Sequence, residues 1–144
     1  MSNEPELIEG GLATDTRGTV RFINDFDPKV LGIRRFYAVE NHRAGFVRAW
    51  HGHKKEEKFC TVTRGTAFVC AVQIDEWKRP SKNSKIYRFT ISDVRPMMLY
   101  VPPGYANGCK TLTDDAQVMY FSSLTLEESK NDDFRFPWDY WPEV

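Results

Sequence analysis

The sequence predicts an all-β fold, a sandwich or barrel built from short antiparallel strands. Three observations carry that prediction. Eight short runs rich in β-branched and aromatic residues recur along the chain, often alternating, with Gly, Pro, Asn or Asp between them. No amphipathic helix longer than a turn or two interrupts them. The 144 residues match one domain of ordinary composition, 41% hydrophobic and 28% charged, so residues 1–144 are read as a single unit.

The strands follow in order. Gly18 to Asn24 reads as a strand after a turn at Asp15 to Gly18, Ile33 to Glu40 as a second, and Gly45 to His53 as a third. Lys58 to Thr63 and Thr66 to Asp75 follow, and Arg64-Gly65 between them reads as a hairpin turn. Apolar residues on both faces of Thr66 to Ile74 suggest a strand covered on both sides, as in a barrel that dimerises through its sheet. Trp77 to Ser84 is a polar loop, and Lys85 to Ile91 and Met97 to Val101 are strands, the latter ended by Pro102-Pro103-Gly104. Val118 to Ser123 is the last clear strand, and Leu124 to Lys130 hints at a helical turn. The tail from Asp132 to Val144 has no regular period. Its aromatics, with Trp50 and Trp77, read as core or dimer interface, Trp138 and Trp141 being the ones expected to stack on a ligand.

Several function classes are set aside by composition. Lys plus Arg equals Asp plus Glu, at 20 each, so no bulk charge favours a nucleic acid or an anionic membrane. No apolar run is long enough to span a bilayer. The polar, acidic start at Met1 to Glu6 is unlike a secretory signal. Three cysteines, Cys60, Cys70 and Cys109, are odd in number and lack metal-type spacing. They read as buried free thiols, and the chain as cytoplasmic.

Two blocks carry the chemistry. Gly45, five residues, then His51-Gly52-His53, with Gly65 further on, form the first; Pro102-Pro103-Gly104-Tyr105-Ala106-Asn107-Gly108 forms the second. They resemble the two motifs of the cupin superfamily, which implies a jelly-roll β-barrel (a double-stranded β-helix) with both blocks facing one barrel mouth. A metal-binding cupin supplies two His and a Glu from the first motif and a His from the second. Here the Glu spacing counted back from Gly65 lands on Lys58, and Asn107 stands at the second-motif His. An ammonium has no lone pair to donate, and an amide is a poor ligand for imidazole-preferring metals. No metal is expected, although Glu57 would complete a ligand set if a one-residue bulge shifted the count. A His beside a Lys suits removal of a proton next to a carbonyl. The ammonium keeps the imidazole neutral and stabilises the developing oxyanion.

The ordered set of local motifs narrows the superfamily. It comprises Asp15-Thr16-Arg17-Gly18, Glu40-Asn41-His42, Arg48-Ala49-Trp50-His51, Lys58 with its spacing to Gly65, Val72-Gln73-Ile74-Asp75, Val101 to Ala106, and Phe136-Pro137-Trp138-Asp139. Over roughly residues 13 to 142 the chain resembles the dTDP-4-dehydrorhamnose 3,5-epimerases and the related dTDP-sugar 3,4-ketoisomerases. The resemblance implies a cofactor-free homodimer, a nucleotide-diphosphate 4-keto-6-deoxy sugar as substrate, and a place in deoxysugar or cell-surface polysaccharide biosynthesis. It makes His51 the base, puts Lys58 and Arg48 in the pocket, and gives Arg17 the diphosphate, across the dimer. Tyr37, Arg48, His51 and His53 fit the ketoisomerase pattern; Lys58, Asn41-His42 and the Trp-Pro tail fit the epimerases. The acidic Tyr expected beyond Tyr120 is absent from Ser122 to Leu126, Asn107 replaces a His, and the Asp that partners the base would fall beyond Val144. These departures favour single-site epimerisation or a ketone shift over two-site epimerisation. Tyr37, Tyr120 and His53 are the candidate proton donors, and Asn41, Arg48, His53 and Asn107 the candidate substrate contacts. A non-catalytic sugar-binding cupin and a metal-dependent cupin stand as the alternatives.

Overall fold

Two five-stranded antiparallel sheets form the body in the computed structural model, which describes residues Met1–Val144. The strands are β1 (Glu6–Glu9), β2 (Gly11–Asp15), β3 (Gly18–Phe22), β4 (Arg35–Glu40), β5 (Val47–His53), β6 (Lys58–Arg64), β7 (Thr66–Gln73), β8 (Ile86–Ser92), β9 (Met97–Val101), β10 (Tyr105–Thr111), β11 (Gln117–Ser122) and β12 (Phe134–Arg135). The first sheet runs β1-β9-β6-β11-β4 and the second β12-β5-β10-β7-β8. The jelly roll expected from the sequence is present, and its core lies between the sheets. There Cys60, Val62, Leu99, Val101 and Val118 of the first sheet meet Ala67, Val69, Ala71, Ile91 and Cys109 of the second. Hairpin β2–β3 stands apart as a two-stranded sheet with Leu12, Val20 and Phe22 exposed.

The short edge strands β1 and β12 were not expected from sequence, and the two sheets differ from the sequence reading at three further points. First, Arg64-Gly65 is no hairpin turn, because β6 and β7 lie in different sheets. Gly65 adopts φ +73° at the corner where the chain crosses between them, and an added Cβ there would collide with Thr113, Asp115 and Ala116. Second, β10 was not expected, because Pro102 to Gly104 and Asn107-Gly108 read as turn chemistry. Tertiary pairing overrides that signal: β10 is a central strand hydrogen-bonded to both β5 and β7. Gly108 is needed there, since a Cβ would stand 2.7 Å from the Ala49 Cβ.

Third, the outer face of β7 is covered by the chain's own tail. Trp141, Val144, Phe136 and Tyr140 pack with Trp50, Cys70, Val72 and Ile74. The Trp50 Nε1–H donates to the carbonyls of Trp138 and Trp141 at 3.2 Å each. The two-faced apolar pattern therefore needs no partner subunit to explain it. The ligand-stacking role expected for Trp141 is corrected too, since it is 1% exposed inside this layer; Trp138 is 58% exposed and does not line the cavity described below. On the first sheet, residues Ile23, Phe26, Leu31 and Ile33 cover Phe59, Met98 and Tyr100 in the same way.

The helical turn expected after the last long strand is the helix α1 (Leu126–Lys130). Thr125 and Glu128 form a capping box that starts it, each satisfying a backbone N–H of the other's residue. The segment from α1 to β12 then crosses the open end of the barrel and pairs with β5.

Candidate active site

Strand alternation sets the site. His51 and His53 are two apart on β5 and face the same side, into the barrel mouth. A bulge between β5 and β10 pairs Asn107 with His51 but Cys109 with Arg48. Trp50 faces outward by alternation, and the extra residue keeps Ala49 on that outer side too and so turns Arg48 onto the cavity side. On the first sheet Tyr37 of β4 and Tyr120 of β11 are cross-strand partners, their rings stacked at 5.2 Å. Lys58 opens β6, and Asn107 comes from β10. The result is one cavity of about 370 Å³ lined by His51, His53, Lys58, Arg48, Asn107, Tyr37 and Tyr120. Seven of the nine expected site residues thus meet.

The other two sit elsewhere. Asn41 stands behind Arg48, accepting its Nε–H at 2.7 Å and donating to Thr111 Oγ1 at 3.0 Å, so it holds the guanidinium from outside the cavity. Arg17 lies at the tip of the exposed β2–β3 hairpin, paired only with Asp15 at 2.7 Å. It does not reach the cavity of its own chain.

The remaining walls were not found from sequence. Arg35, Ser129, Lys130, Asp133 and Arg135 also line the cavity. Arg35 had a signal, being two residues from Tyr37 and so on the same face of β4. The α1–β12 residues had none, because only folding brings that segment across the barrel mouth. Asp132 anchors it: its carboxylate accepts the backbone N–H groups of Lys54, Lys55 and Glu56 at 2.8, 3.0 and 2.9 Å.

Burial tunes the two imidazoles differently. Removal from water, then the Lys58 and Arg135 charges, push His51 down to about 4, against an opposing pull from Asp133. His51 is therefore a neutral ring with a free lone pair near neutral pH, as a base must be. His53 is lowered as well, first by burial and then by Lys58. Its Nδ1 lies 2.7 Å from the Asp132 carbonyl oxygen. That oxygen can only accept, so Nδ1 carries the proton, leaving Nε2 as the acceptor of a hydrogen bond from Lys58 Nζ at 3.1 Å. Tyr120 is pushed well up, mainly by burial, and holds its proton throughout the ordinary range. Asn107 Nδ2 already donates to the His51 carbonyl at 3.3 Å, which leaves one amide N–H for a ligand.

The donor set does not favour a metal. No group of three or more His, Cys, Asp or Glu is placed to hold one. Glu57, the alternative ligand, instead accepts a hydrogen bond from the Tyr100 hydroxyl at 2.9 Å. All three thiols are free and buried.

Comparison with known proteins agrees with this geometry. The Bacillus subtilis spore coat polysaccharide biosynthesis protein SpsL is 26% identical over 96 residues, covering 66% of this chain and 62% of SpsL, so less than two thirds of that relative is matched. Among solved structures, the dTDP-4-dehydrorhamnose 3,5-epimerase of Bacillus anthracis, with TDP and PPi bound, superposes with a TM-score of 0.76. It is 23% identical, over 97% of this chain and 86% of that one. A 3,4-ketoisomerase from Thermoanaerobacterium thermosaccharolyticum, in complex with TDP-4-keto-6-deoxyglucose, gives a TM-score of 0.69 at 20% identity, over 99% of this chain and 95% of that one. The model of the dTDP-4-dehydrorhamnose 3,5-epimerase family matches residues 6–139. With that match spanning both sheets and the whole cavity, the chain belongs to the dTDP-4-dehydrorhamnose 3,5-epimerase family.

Proposed function

We propose that this protein is a cofactor-independent isomerase of a dTDP- or other nucleotide-linked 4-keto-6-deoxyhexose, acting by proton abstraction next to the ketone. The observation that carries the reading is a neutral His51 sharing one cavity with the Lys58 ammonium. His51 takes the C3 proton. The electron pair left on C3 forms the C3–C4 double bond, and the carbonyl pair moves onto O4, where a Lys58 N–H and the free Asn107 N–H stabilise it. Return of a proton to the opposite face of C3 gives the epimer.

The cavity wall supports the ligand class. Five cationic side chains, Arg35, Arg48, Lys58, Lys130 and Arg135, face it against the single carboxylate of Asp133. That excess suits a diphosphate. Tyr37 and Tyr120 are the proton donors of the reading; His53, whose one proton faces the Asp132 carbonyl, has none free to give. Tyr37 and Tyr120, stacked beside Lys58, favour a second outcome: the proton on O3 passes to O4 and a proton returns at C4, which gives the 3-keto isomer. The exposed β2–β3 hairpin supports a homodimer in which Arg17 serves the partner's cavity and Leu12, Val20 and Phe22 become covered. The three buried free thiols fit a reducing compartment such as the cytoplasm.

Incubating the protein with dTDP-4-keto-6-deoxyglucose in heavy water tests this directly. Deuterium at C3 marks epimerisation there, and deuterium at C4 the ketone shift. The His51→Asn variant is expected to lose exchange by a factor of at least ~100 while still binding dTDP. Full exchange by that variant, or none by the unaltered protein, sinks the reading.

A further inference from the structure

Glu56 is a wholly buried carboxylate to which the chemistry above gives no part. It lies behind the cavity among groups from every neighbouring element. Oε1 accepts from the Ser122 hydroxyl of β11 and lies 3.5 Å from the Arg35 guanidinium of β4. Oε2 lies 3.0 Å from His53 Nε2 and 3.4 Å from Lys58 Nζ. Yet Oε2 makes no well-formed hydrogen bond, an expensive arrangement for a buried oxygen.

Counting protons explains the arrangement. Burial and the Lys58 charge favour the neutral ring of His53, whose one proton sits on Nδ1 facing the Asp132 carbonyl, so Nε2 has none to give Oε2. The three N–H bonds of Lys58 are then the only ones in the triangle. One goes to His53 Nε2 at 3.1 Å, and a second is drawn towards Oε2 at 3.4 Å. The third is left for the cavity that Lys58 lines.

We propose that Glu56 is a positioning residue: with His53 it fixes two N–H bonds of Lys58 and so aims the third at the oxyanion formed on the substrate. This rests on the proposed function, and it names what holds the oxyanion donor in place. Preorganised donors matter because an ammonium free to rotate must be reoriented at the moment charge develops. Neither the length of the Lys58 side chain nor its burial fixes that rotation; two fixed acceptors do.

Glu56→Gln is the informative change. A glutamine amide donates where the carboxylate accepts, so its N–H competes with Lys58 for His53 Nε2 and frees the ammonium. The expected result is a kcat at least ~30-fold lower, with KM and dTDP affinity within ~3-fold and the C3 deuterium exchange falling in step with kcat. Ser122→Ala, which removes the hydroxyl on Glu56 Oε1 without touching the triangle, is expected to keep kcat within ~3-fold. A role confined to packing would lower the thermal midpoint of both variants and leave turnover per folded molecule unchanged, and that outcome overturns the proposal. If Glu56→Gln does not fold, nitrogen-15 spectra of the histidines in the unaltered protein decide instead. The triangle requires His53 to hold its proton on Nδ1, with an Nε2 resonance that moves in Lys58→Met; an Nε2-protonated His53 overturns it. Absence of any exchange by the unaltered protein would defeat the proposed reaction, while the histidine spectra would still test the triangle.

Discussion

Acidification should destabilise this protein through His51, and the size of the effect follows from its surroundings. The ring is held down from 6.5 to about 4 by burial and by the Lys58 and Arg135 charges. That difference corresponds to an upper bound of about 3.4 kcal/mol between charged and neutral forms. The ring is only partly buried, and solvent screening brings the expected value to roughly 2 kcal/mol. The direction is fixed by proton binding. Between pH 6.5 and about 4 the unfolded chain holds a proton on His51 that the folded chain does not. Stability therefore falls as pH falls through that window, and this group adds no further loss below it. His53, also lowered, acts in the same direction, but it is present in both proteins of the comparison and cancels. Urea unfolding followed by tryptophan fluorescence, at several pH values from about 7 to 4.5, would compare the unaltered protein with His51→Asn. The variant should lose roughly 2 kcal/mol less over the range. Curves that stay parallel within about 0.5 kcal/mol would mean that His51 titrates as a solvated imidazole, and the argument for a neutral buried base would fail.

Three further outcomes follow from the packing and the buried groups. Trp141→Ala should cost about 3–5 kcal/mol by urea unfolding, because the ring is 1% exposed against Trp50 and its loss leaves a cavity under the tail. Asp132→Ala should cost about 1–3 kcal/mol and reduce turnover, since three N–H groups of residues 54–56, that of Glu56 buried, lose their acceptor and the loop carrying Glu56 is released. Burial pushes the Cys70 and Cys109 thiols up to about 11 and Cys60 higher still, so a thiol reagent near neutral pH should titrate none of the three until the chain is unfolded.

The tail shows how the architecture and the site depend on each other. Residues 136 to 144 cover the outer face of the second sheet, and the segment just before them closes the cavity rim. Pairing of Phe134 with Gly52 and Arg135 with His51 places both functions on one short stretch next to the base. Loosening the tail should therefore disturb the His51 strand as well as the core.

What the sequence determined by itself was the set of local properties: the all-β class, eight strands near their observed positions, the helical turn at α1, and a face of β5 carrying His51 and His53. These follow from alternation and turn chemistry, which act over a few residues and leave a readable period. The family motifs added Lys58, Arg48, Tyr37, Tyr120 and Asn107 to one cavity. The tertiary structure decided what depends on distant segments meeting. Gly65 became a crossover because its neighbours pair in different sheets, and β10 became a central strand although its residues read as turns. The two-sided burial of β7 came from the chain's own tail. Asp132, Asp133 and Arg135 joined the site from about 80 residues beyond the His motif, and no local pattern marks such a meeting. Glu56 is the sharpest case. It stands in plain view between His53 and Lys58 in the sequence, but its burial against Ser122 and Arg35 exists only once β4, β6 and β11 lie side by side.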